Sequence, residues 1–165
     1  MSVFIRTALA AALLAAAPLA SAATATDSFT VSLTLNNSCT VAINDLTFPD
    51  SSSLASAIDA STTGAVTCTG IGAYTVAFND GAGIGATSAA RKMTFGTNTI
   101  DYILSKDSYG GPLLGDDAGT VTFAGTSVGN NAADASFTIY GRVTAGQNPK
   151  PIGAYTDTVV ATVSF

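Results

Sequence analysis

The sequence predicts an all-β domain, on three observations. All 11 acidic residues are Asp and none is Glu; Glu favours helices, whereas Asp favours turns and caps. Beyond residues 1–22 no window sustains a helical period, and the one ambiguous stretch, the Ala-rich "SSSLASAIDAS" at residues 51–61, is short. Short runs of alternating apolar and polar residues, rich in Val, Thr and aromatic side chains, recur between clusters of Gly, Asn and Asp. That spacing of strand and turn signals fits a sandwich or barrel.

The elements follow in order. Arg6, the apolar run "TALAAALLAAAPLA" and the small residues Ala20 and Ala22 make residues 1–22 a secretory signal peptide. The run is too short to anchor the chain in a membrane. Next comes "TDSFTVSLTLNNSC" (26–39), which places Phe29, Val31, Leu33 and Leu35 on one side and Ser28, Thr30, Ser32 and Thr34 on the other. This is the period of a strand with one buried face, although periodicity reports burial and not whose core is filled. "CTVAI" (39–43), "GAVTCTG" (64–70) and "AYTVAF" (73–78) are expected strands, the last ending at the turn-rich "NDGAGIG". "TIDYILS" (99–105), "GTVTFAG" (119–125) and "ADASFTIYGRV" (133–143) follow, the last with Phe137, Ile139 and Gly141 on one face. "AYTDTVVATVSF" (154–165) ends the chain and alternates through Val159, Ala161, Val163 and Phe165. A sandwich that needs a further strand beside this one finds none after Phe165. Such an edge exposes core and unpaired backbone, an aggregation hazard.

The two cysteines, Cys39 and Cys68, are an even count in a chain expected to be exported, so a disulfide is expected. Closing the loop between them is worth about 3–4 kcal/mol in the chain-entropy account. The sequence has no CxxC and no His, so neither a redox pair nor a zinc set is expected, and no other metal or cofactor.

Composition also excludes functions. Once residues 1–22 are removed, the basic residues are Arg91, Lys92, Lys106, Arg142 and Lys150 against 11 Asp. A sparse acidic surface without a basic cluster argues against nucleic acid. "GTSVG" (125–129) matches a nucleophile elbow letter by letter, with Ser127 at the nucleophile position. The elbow requires a following helix and a His partner, and neither is available, so no enzyme is expected. Asp116–Asp117 and Asn79–Asp80 lie in Gly-rich turns and read as solvated turn residues. "GAGIG" has glycines but no GK[ST], so it is not a phosphate loop.

Three blocks carry a family likeness. "YGRVTAGQNPKPIGAYTDTVVATVSF" (140–165) resembles the C-terminal signature of the spore coat protein U domain family, which includes pilins of archaic chaperone–usher pili. "RKMTFGTNTIDYILSKD" (91–107) followed by "LLGDD" is similar to its middle block, and "VSLTLNNSCTV" to its N-terminal strand and first cysteine. The family usually has an aromatic residue where Ser105 stands and often Trp where Leu114 stands. The resemblance implies an incomplete immunoglobulin-like β-sandwich completed by a donor strand: residues 23–36 as donor and 37–165 as the pilin domain. It implies that Phe29, Val31, Leu33 and Leu35 fill a neighbour's groove, beside the C-terminal strand of Val159, Ala161, Val163 and Phe165. Strand addition combines main-chain hydrogen bonds with side-chain pockets, and four such side chains contribute roughly 6–12 kcal/mol gross. The implied partners are a periplasmic chaperone, an outer-membrane usher and neighbouring pilin subunits. The implied place is the periplasm in transit and then a surface fimbria supporting adhesion or biofilm formation. Two other readings stand beside this one. On patterning alone residues 29–35 read as an ordinary first strand packed in its own domain, and the family's spore-coat members leave open a secreted coat or matrix protein assembled without an usher.

Overall fold

In the computed structural model, residues 23–129 and 133–165 are described; the expected signal peptide, 1–22, lies outside them. The chain divides at Thr34/Leu35 into two units. Residues 23–38 belong to no strand, and all of 23–34 is exposed.

The sandwich is built from β1 (Cys39–Ile43), β2 (Ile58–Cys68), β3 (Ile71–Phe78), β4 (Arg91–Phe95), β5 (Asn98–Ser105), β6 (Phe123–Val128), β7 (Ala133–Val143) and β8 (Ala161–Ser164). All strand pairs are antiparallel. One sheet has the order β1-β2-β7-β5-β4 and the other β6-β3-β8. The core lies between them. Alternation sends Ile100, Tyr102 and Leu104 of β5 inward, with Ile139 and Val143 of β7 and Val66 of β2; Tyr74, Val76 and Phe78 of β3 meet them from the other sheet. Period-2 patterning dictates this, because successive side chains of a strand point to opposite faces.

The ambiguous stretch at 51–61 is not helical. Ser51 Oγ donates to Ser53 O at 2.7 Å and accepts from Ser53 N–H at 3.3 Å in a local turn, and β2 begins at Ile58. β4 is a strand that the sequence hid. Its Arg91 points inward, so an apolar-in pattern is not visible. Phe95 pairs with Asn98 across the two-residue turn Gly96–Thr97, where Gly96 has φ of 59°, as a tight hairpin requires. β6 starts at Phe123, later than expected; Gly119 turns the chain with φ of 91° before it. β8 is shorter than the C-terminal alternation predicts, for a reason given below.

Cys39 and Cys68 stand opposite each other in the β1–β2 register and are joined, Sγ to Sγ, at 2.05 Å. β1 pairs with no strand but β2 among the described residues, so the bond fastens an edge strand. Cys39→Ser is expected to lower stability by about 2–5 kcal/mol, read from the denaturant midpoint. Thiol labelling of the denatured wild-type chain should find no free cysteine; two reactive thiols would refute the bridge.

Candidate functional site

A groove of about 930 Å³ opens along one side of the sandwich. Its floor is the core itself: Phe78, Ile100, Tyr102, Leu104, Ile139 and Val143. One wall is the end of β1 and the chain after it, with Ile43, Leu46, Phe48 and Leu54; the other is the chain leading into β8 and its first residue, with Tyr155, Val159 and Ala161. The floor residues are themselves buried, and the half-buried apolar side chains of the two walls are what is reached from outside. The backbone points the same way. β1 pairs with β2 and β8 pairs with β3, and among the described residues neither has a strand on its other flank. The two edges approach each other across the sandwich. An apolar trough between two unpaired edges is a receptor for an added strand, which satisfies the backbone while its alternate side chains enter the trough.

One isolated backbone bridge, Thr156 to Thr94 of β4 (2.7 and 3.1 Å), and a set of side-chain hydrogen bonds hold the second wall. Asp157 Oδ1 accepts from the backbone N–H groups of Ala82 (2.8 Å) and Thr158 (2.7 Å). Asn79 Oδ1 accepts from Val160 N–H at 2.8 Å, while Asn79 N–H donates to Val160 O at 3.0 Å. These acceptors capture donors that a strand would give to its neighbour, so regular pairing begins only at Ala161. Tyr102 Oη donates to Asp157 Oδ2 at 2.8 Å. Burial pushes the Tyr102 phenol well above its ordinary pKa of 10.0, and the bond to Asp157 acts in the same direction, so it is a proton donor throughout the ordinary pH range.

The first wall depends on a glycine. Gly141, in β7, is buried between Ile139 and Val143, and a Cβ there would stand 2.8 Å from Leu46 Cδ1 and 3.1 Å from Phe48 Cζ. Gly141→Val is expected to push this wall outward and cost about 1–3 kcal/mol, checked by the denaturant midpoint.

The residues singled out from the sequence are placed as follows. Phe29, Val31, Leu33 and Leu35 are exposed by 87, 81, 91 and 87%. Val159 and Ala161 line the groove; Val163 packs on the core further along β8, and Phe165 is 58% exposed. Ser127 lies within β6, buried, with its Oγ accepting from Gly129 N–H at 3.0 Å; it sits on no strand-to-helix elbow. The two acidic turns, far apart in sequence, meet. Carboxylate oxygens of Asp80, Asp116 and Asp117 lie within 4.8 Å of one another, and Ser88 Oγ contacts Asp80 Oδ1 at 2.7 Å and Asp117 Oδ2 at 3.1 Å. Arg91, fully buried, is the nearby counter-charge: burial lowers its pKa, and Tyr102, Asp80, Asp116 and Asp157 oppose that. Ser105 is buried with its hydroxyl unpartnered among the described residues, and Leu114 is buried in the core. Sequence reasoning missed Leu46, Phe48, Tyr102 and Asp157. The alternation of "LTF" at 46–48 was the only available signal for the first two.

The model of the Spore Coat Protein U domain family matches residues 25–162. The chain belongs to this family. No curated protein matches the SCPU chain. Among solved structures it is similar to a chain of the crystal structure described as the CsuC–CsuE chaperone–tip adhesion subunit pre-assembly complex from archaic chaperone–usher Csu pili of Acinetobacter baumannii. Identity is 20% and the TM-score 0.52, over 80% of the SCPU chain and 41% of that one. At that identity the likeness is one of fold, and it agrees with an all-β, immunoglobulin-like sandwich. No helix among the described residues is long and apolar enough to cross a membrane.

Proposed function

We propose that this SCPU protein is a structural subunit of a surface pilus assembled by the chaperone–usher route through donor-strand exchange. The observation that carries the proposal is the apolar groove between the unpaired edges of β1 and β8. In the same chain, four alternating apolar side chains at 29–35 stand exposed. Residues 1–22 direct export; residues 23–36 are the donor strand; residues 37–165 are the acceptor domain. In the periplasm a chaperone lends a strand to the groove, and at an outer-membrane usher the N-terminal strand of the next subunit replaces it. A head-to-tail contact of this kind need not close on itself and so builds a filament. The likeness to a chain from a chaperone-bound pilus subunit complex supports this reading, as does the family. The filament then serves adhesion or biofilm formation at the cell surface. Catalysis has no part in it.

The test is to produce the chain with and without its cognate chaperone, with residues 23–36 present or deleted. The deleted form alone should aggregate or be degraded, because the groove stays open. A stable, monodisperse monomer of that form would overturn the proposal. Sheared surface fibres containing the chain support it; a non-filamentous coat would favour the coat or matrix reading.

A further inference from the structure

The groove has two walls from different parts of the fold, and one side chain reaches both. The Phe48 ring, on the wall after β1, meets the Tyr102 ring edge to face with centroids 6.2 Å apart. The Tyr102 hydroxyl, at the other end of that side chain, donates to Asp157 Oδ2 on the opposite wall. Tyr102 belongs to the five-stranded sheet, whereas Asp157 leads into β8 of the three-stranded sheet. Asp157 is itself held from behind: Ala82 N–H, in the loop after β3, donates to its other oxygen. Gly81, with φ of 90°, leaves no room for a Cβ beside that carboxylate, so the loop fits closely around it. Phe48, Tyr102 and Asp157 thus make a chain of contacts across the groove floor, and all three line it.

We infer that Tyr102 and Asp157 are positioning residues: a strut that fixes the spacing of the groove's two walls before a strand arrives. The inference rests on the acceptor-groove reading above. An incoming strand must form hydrogen bonds to both edges at once. If the walls drift apart, only the fraction of molecules with the right spacing can accept it, and uptake falls by that fraction. Pre-organisation of this kind acts on the approach of the strand. Once seated, the strand itself bridges the walls, and the strut adds little to holding it.

This gives a measurement that a merely structural contact would not satisfy. The probe is a labelled synthetic peptide of residues 27–38. The acceptor is the chaperone-bound chain from residue 23 to 165 carrying Leu33→Asp, so that the open groove does not aggregate and its own strand does not compete. Tyr102→Phe keeps the ring against Phe48 and removes only the bond across the groove. Its association rate with the peptide is expected to fall on the order of tenfold, the scale of one hydrogen bond to a charged group, while dissociation changes little. Asp157→Ala, at a half-buried wall position, should act in the same way and serves if Tyr102→Phe does not fold. Asp157→Asn retains an acceptor for Ala82 and a polar partner for the tyrosine hydroxyl, and should restore association. An unchanged association rate in both Tyr102→Phe and Asp157→Ala overturns the strut while leaving the acceptor groove standing. Equal changes in association and dissociation, in step with a lower melting temperature of the complex, overturn it as well, since the pair is then general scaffolding. Failure of the parent acceptor to take up the peptide overturns the groove reading and the strut together.

Discussion

Arg91→Ala is expected to destabilise the domain by about 3–5 kcal/mol, a large share of a typical domain's stability. The Arg91 side chain is wholly buried and, among the described residues, is bound by backbone carbonyls. Its Nη2 donates to Leu114 O at 2.8 Å and Asn79 O at 2.9 Å, its Nη1 to Ser88 O at 3.1 Å, and its Nε to Asn79 O at 3.1 Å. These carbonyls belong to the turn after β3 and to the segment between β5 and β6, so one guanidinium fastens two irregular stretches to β4. Truncation leaves buried acceptors unpaired, opens a cavity, and removes the cation facing Asp80, Asp116 and Asp157. Lysine restores the charge but not the fork, since a single ammonium does not span Ser88 O and Leu114 O; Arg91→Lys is expected to fall between wild type and Arg91→Ala. Lys92→Ala is the control. That side chain makes a half-exposed ion pair with Asp101 at 2.8 Å, and its loss should cost about 1 kcal/mol. Denaturant midpoints of the disulfide-bonded chain read all three. An Arg91→Ala protein as stable as Lys92→Ala would show that the buried guanidinium does not organise these turns.

The same residue explains where the sequence is legible and where it is not. β1 and β7 fall on "CTVAI" and "ADASFTIYGRV" to the residue, and β3 and β5 within two residues, because each buries one face and period-2 alternation reports that directly. β4 escapes because its inward residue is an arginine, whose burial depends on distant carbonyls that no local pattern records. The groove walls escape for a related reason. Residues 44–57 and 153–160 belong to no strand, and 153–160 has only the single bridge of Thr156 to Thr94. Their shape comes from side-chain bonds spanning 75 positions between Asp157 and Ala82 and 81 between Asn79 and Val160. The meeting of Asp80 with Asp116 and Asp117 is likewise a product of the fold. Conversely, Phe29, Val31, Leu33 and Leu35 are plain as an amphipathic strand, yet alternation alone gives no address for the face they would bury.

Leu33→Asp is expected to abolish fibre formation while leaving recovery of the chaperone-bound subunit unchanged. Leu33 is 91% exposed, the most exposed of the four candidate donor residues. An aspartate there meets solvent before assembly and is tolerated. If the strand enters a neighbour's groove, the same aspartate is carried among Phe78, Leu104, Ile139 and the other floor residues, with no basic side chain along the groove to pair with it. A carboxylate buried unpaired costs several kcal/mol, or takes up a proton at comparable cost. That penalty removes much of the roughly 6–12 kcal/mol that the four side chains contribute together, before ordering costs are counted. Ser32→Asp puts the same charge one residue away, on the opposite side of the strand, and should leave fibres nearly intact. The contrast between neighbouring positions separates insertion from a general effect of charge. Fibre yield and chaperone-complex yield must be measured together. Fibres from Leu33→Asp would mean that Leu33 is not a buried donor residue; equal loss of fibres and of the chaperone complex would mean that residues 29–35 serve their own domain and that no exchange takes place.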